Sequence, residues 1–104
     1  MSGPELTVGK RVISEMVRLA AFEVPGVVRV GRGGPPWLAV FAGRGVRIGL
    51  SESGVAVRVW IVARPGHALV PLMGQVRAAI GATVERLLGL PLESVTVTVD
   101  GVGG

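Results

Sequence analysis

The chain has 104 residues, 49% of them hydrophobic and 17% charged, with ten arginines and one lysine against seven acids for a net charge of +4. A chain this apolar is not intrinsically disordered, and its length suits one domain spanning residues 1–104. Cysteine is absent, which excludes disulfides and thiolate metal sites and fits a reducing compartment.

The first ten residues, MSGPELTVGK, lack the basic flank and apolar run of a secretory signal. Leu6, Thr7 and Val8 read as a short extended lead-in. A helix follows, with Ile13, Val17, Ala20, Ala21 and Val24 at spacings of three and four. Pro25-Gly26 stops it. Gly9 is a weak N-cap, so this helix depends on tertiary packing. Val27 to Val30 reads as a β-branched strand.

Residues 31–45, GRGGPPWLAVFAGRG, read as a Gly- and Pro-rich loop with an apolar centre at Trp37, Leu38, Val40 and Phe41. The longest unbroken apolar run, Pro35 to Ala42, falls far short of the roughly 18 residues that cross a bilayer. The sequence therefore predicts a soluble protein without a membrane span. Its loop either folds back on the core or forms a contact patch.

Val46 to Leu50 resumes strand character, and Ser51 to Gly54 carries a hairpin signal. Val55 to Ala63 alternates strictly. Val55, Val57, Val59 and Ile61 point to the core, and Ala56, Arg58, Trp60 and Val62 point the other way. After the turn at Arg64 to His67 comes a second helix, striped by Leu69, Leu72, Met73, Val76, Ile80, Thr83, Val84 and Leu87. Gly74 and Gly81, seven residues apart on it, would admit another backbone at close range. Gly89 and Pro91 end this helix. Val95 to Val99 alternates again as the last strand.

The element order is β-α-β-β-β-α-β. This predicts an α+β fold in which a mostly antiparallel sheet of about four strands carries two amphipathic helices on one face. The second helix makes a βαβ crossover.

Chemistry is scarce. Besides arginine the titratable stock is one His, one Asp, six Glu and one Lys. His67 stands at a helix start, which disfavours its charged form, and no neighbouring residue completes a triad or a metal-ligand spacing. The acids fall at element ends or on polar faces, and no phosphate-binding or nucleophile-elbow motif occurs. The sequence thus assigns no catalytic residue, no cofactor and no metal site.

The candidate partner-binding residues are Trp37, Leu38 and Phe41 in the loop, with Arg47, Arg58, Trp60 and Arg64 on or near the outer sheet face. The same Arg and Trp face offers an alternative as a nucleic-acid platform. Scattered single arginines and the absence of tyrosine speak against it, so nucleic acid is not the expected partner. Asparagine is missing and Gln75 is the one glutamine, as in thermophilic sources, although a codon bias has the same effect.

Val8-Gly9-Lys10-Arg11-Val12 and then Leu19-Ala20-Ala21-Phe22-Glu23-Val24-Pro25-Gly26-Val27 resemble the opening helix and A-A-x-E-V-P-G-V signature of the alkaline-shock-protein family. Gln75-Val76, Thr83-Val84-Glu85, Gly89-Leu90 and Val95 to Val102 resemble its C-terminal half. The likeness covers nearly the whole chain outside residues 31–45, where the family varies. Arg64-Pro65-Gly66 replaces the family's usual Y-G turn, and Thr96 stands where Asn is common. The acidic stretches frequent in members are missing. The resemblance implies a non-enzymatic cytoplasmic protein of the general and envelope stress response. Such a protein is self-associating and held at the inner face of the membrane by a separate anchor protein.

Overall fold

The computed structural model describes residues 9–31 and 45–103. Helix α1 spans Lys10–Phe22 and buries Ile13, Val17 and Ala21, one residue per turn along a single stripe. Gly9 gives it no side-chain cap, so burial of that stripe holds it. Glu23 closes the helix by donating its N–H to the Leu19 carbonyl at 3.0 Å. The chain then reverses at Gly26, whose φ of 101° suits glycine.

Strand β1, Val27–Val30, leads out of that turn. Strand β2 is Val46–Ser51, β3 is Gly54–Ala63, helix α2 is Leu69–Ala82, and β4 is Leu92–Val102. All four strands form one sheet with β3 at its centre. β1 and β2 both run antiparallel to β3 and β4 runs parallel to it, so α2 is the crossover between two parallel neighbours. The α+β architecture, its four strands and its largely antiparallel pairing agree with the sequence reading. The lead-in at Leu6 to Val8 lies outside the described residues.

One feature of the sheet was not expected. β1 pairs with the last residues of β3, from Val27 opposite Ala63 to Val30 opposite Ile61. β2 pairs with the rest, from Val46 opposite Val59 to Ser51 opposite Gly54. The two strands therefore lie end to end along the same edge of β3. At the join, Gly31 donates its N–H to the Trp60 carbonyl, and Trp60 donates to the Gly45 carbonyl, each at 2.8 Å. A single strand residue would normally make both bonds. Two glycines share them here because a Cβ on Gly45 would fall 2.5 Å from the Gly31 Cα. Residues 32–44 are thus an insertion into one edge strand.

The core lies between the sheet and the helices. Val55, Val57, Val59 and Ile61 of β3 meet Ile13, Val17 and Ala21 of α1 and Leu72, Val76 and Ile80 of α2. Each of these Val, Leu and Ile side chains stabilises the fold by roughly 1.5–3 kcal/mol relative to exposure. α1 packs over β1 and β2, α2 over β4, and the helices touch each other.

After Ala82 the helix loosens into a π turn, Thr83–Leu87, with the Leu88 N–H reaching back to the Thr83 carbonyl at 3.0 Å. The wider turn corrects the predicted stripe. Leu87 is 66% exposed, while Leu88 packs against the core. Gly89, with φ of 69°, then ends the helix as expected. Among the described residues the two helix glycines meet no neighbouring backbone. Nothing lies within 4 Å of a Cβ on Gly74, and one on Gly81 would meet only the Leu92 side chain.

Candidate association surface

Alternation along β3 decides what the sheet presents on the side away from the helices. Val55, Val57, Val59 and Ile61 are almost wholly buried, whereas Arg58 is exposed and Ala56 and Trp60 are half-buried. The register sets their neighbours. Arg58 lies between Arg47 of β2 and Thr96 of β4, Ala56 lies between Gly49 and Ser94, and Trp60 is opposite Thr98. Arg47, Arg58 and Trp60 therefore share one open face, as the sequence suggested.

Val62 departs from that pattern. It has the parity of the open face yet is only 5% exposed. Bulges on both sides, between Val27 and Arg29 and between Ile61 and Val62, bend and twist this end of the sheet around it.

Arg64 is not brought into the group. It follows the end of β3, roughly 20 Å along the strand from Arg58, and its N–H bonds the Gly26 carbonyl at 2.8 Å. Trp37, Leu38 and Phe41 lie outside the described residues.

His67 packs its ring on Gly26, where a Cβ would come within 2.6 Å of Nδ1, and the residue is otherwise exposed. Among the described residues no group of three His, Asp or Glu is placed to hold a metal ion. All described titratable side chains sit at half-buried or exposed positions. Arg18 and Glu15 form an ion pair on α1, with Nε 3.3 Å from Oε1. The Glu15 hydrogen bond holds the guanidinium above its ordinary pKa against the opposing effect of burial.

The helix layer holds a surface that the sequence reading did not single out. Val12, Leu19 and Phe22 of α1 are 46%, 43% and 50% exposed, and Met16 between them is half-buried. Spacings of four, three and three place these four residues along one flank of the helix, and at about 3.6 residues per turn Val12, Leu19 and Phe22 face away from the buried stripe. The signal was in the sequence, because the apolar arc of α1 is wider than one buried face needs. Val70 on α2 is 80% exposed as well.

The profile of the alkaline shock protein 23 family, described as having a cell envelope-related function, matches residues 2–103. The chain belongs to this family. Its Ala20 to Val27 signature is now legible as structure, namely the end of α1, the Gly26 reversal and the start of β1.

No curated protein matches the chain in sequence. Among solved structures it is similar to a single-substitution variant of the MamM CTD in a manganese form, at 19% identity and a TM-score of 0.64, covering 89% of this chain and 99% of that one. It is also similar to the MamM CTD in a copper form, at 18% identity and a TM-score of 0.65, covering 88% and 85%. At these identities the likeness is one of fold. No helix among the described residues is long and apolar enough to cross a membrane.

Proposed function

We propose that the chain is a non-catalytic structural protein of the envelope stress response, a scaffold that associates with a second copy of itself and with a membrane-anchored partner at the cytoplasmic face of the membrane. The family's envelope-related function supports its setting. The observation that carries self-association is the α1 flank, where Val12, Leu19 and Phe22 hold large apolar area in water along one helix. Apolar stripes of this kind mark contact surfaces.

The nucleic-acid reading of the Arg47, Arg58 and Trp60 face has less behind it. The strand beside them supplies Thr96 and Thr98, where a base-stacking platform needs aromatic rings.

Size exclusion with light scattering tests the proposal. The native chain, 10.7 kDa as a monomer, is expected to run at twice that mass or more. A Leu19→Ser, Phe22→Ser variant is expected to run as a folded monomer. A native chain that stays monomeric from about 1 to 100 µM would remove self-association from the account.

A further inference from the structure

On the sheet face away from the helices, Arg47 and Arg58 stand directly opposite each other in the β2–β3 pair. Their Cβ atoms are therefore about 5 Å apart, and like charges in this relation repel. Both residues are exposed, and among the described residues no carboxylate forms an ion pair with either. Glu15 of α1, which borders Arg47 around the sheet edge, pairs with Arg18. Lys10 and Arg11 border Arg47 around the sheet edge and add to the positive potential.

The surroundings of the pair form a hollow. Gly49 and Ala56, the next cross-strand pair, make a low floor, and Ser94 and Thr96 of β4 supply hydroxyls at its far side. Two arginines and two hydroxyl-bearing side chains thus line one hollow over a floor of small residues. Guanidinium forks match the oxygens of a tetrahedral oxyanion, and a dianion between them cancels the repulsion that the pair otherwise carries.

We propose that Arg47 and Arg58, with Ser94 and Thr96, form a binding site for one phosphate group, either soluble or borne on a lipid headgroup. The site is independent of the α1 flank and lies on the opposite side of the sheet. Its size suits a single phosphate. Among the described residues the nearest further arginine on this face, Arg29, pairs with Val62, four residues along β3 and so about 13 Å away.

The test is an amide NMR titration of the full chain with inorganic phosphate, against chloride at equal ionic strength. Saturable shifts are expected at residues 47–49, 56–58 and 94–96. Arg47→Gln and Arg58→Gln should each weaken binding by about ten-fold, and Arg29→Gln by less than about two-fold. The glutamine variants should melt at or above the native temperature, by up to ~2 °C, because the repulsion is gone. Lost binding is then not lost folding.

Two further arms identify the source, and either result supports the site. Co-sedimentation with phosphatidylcholine vesicles containing phosphatidic acid, abolished by Arg58→Gln, assigns a lipid headgroup. Phosphate binding without co-sedimentation assigns a soluble ligand. Three results would overturn the proposal. They are no saturable shift at millimolar phosphate, an equal loss in Arg29→Gln, or binding confined to oligonucleotides and strengthening with their length.

Discussion

At Gly26 the backbone turns with φ of 101°, and a Cβ there would meet the His67 ring at 2.6 Å and Leu72 Cδ1 at 3.1 Å. Both the conformation and the space require glycine, so the Pro25-Gly26 step joins α1 to β1 under two constraints. Gly26→Ala is expected to cost about 1–3 kcal/mol, read as a lower midpoint in urea. Gly66, also at positive φ but with none of the described residues within 4 Å of a Cβ, isolates the conformational part of that cost. Gly66→Ala should therefore cost less than Gly26→Ala. The His67 neighbour of Gly26 was invisible in the sequence, because 41 residues separate two groups that only the fold brings together.

At the scale of elements, β3 was the most legible. Its strict alternation named both its buried row and the outward Arg58 and Trp60. The last strand was recognised at Val95 to Val99 but runs from Leu92 to Val102, since Glu93, Ser94 and Gly101 interrupt the apolar pattern while parallel pairing with β3 carries the strand through them. The end of α2 was misread for a different reason. Periodicity at 3.6 residues assigns Leu87 to the core, and one wider turn hands that place to Leu88. The paired substitutions measure this shift. Leu88→Ala should lose about 1–2 kcal/mol, and Leu87→Ala should stay within about 0.5 kcal/mol of the native stability.

The collinear β1 and β2 make a prediction about the inserted residues. A chain in which Gly31 is joined directly to Val46 restores one continuous edge strand and leaves both Trp60 hydrogen bonds available to Gly31. Removing these residues also removes the entropy cost of closing a long connection, so the shortened chain should fold with equal stability or a gain of up to about 2 kcal/mol. Circular dichroism and thermal melting would show this. Failure to fold would mean that residues 32–45 contribute to the core. The sequence separated these strands because a Gly- and Pro-rich segment marks a break, whereas the shared edge depends on pairing with a strand further along the chain.

At the scale of the molecule, two helices cover one side of a sheet whose other side carries Arg47, Arg58 and Trp60, and α1 adds an apolar flank of its own. The fold class and the open sheet face were readable from pattern alone. The α1 flank was not, because the sequence shows an apolar arc but not how much of it α2 and the sheet will cover. The central claim is that this flank, rather than the sheet face, is where one copy meets another. The chain has no cysteine of its own, so single-cysteine variants report contacts cleanly. Under mild oxidation Leu19→Cys is expected to form disulfide-linked dimers readily, and Thr98→Cys on the sheet face is expected to remain monomeric. Cross-linking at Thr98→Cys with none at Leu19→Cys would contradict the account.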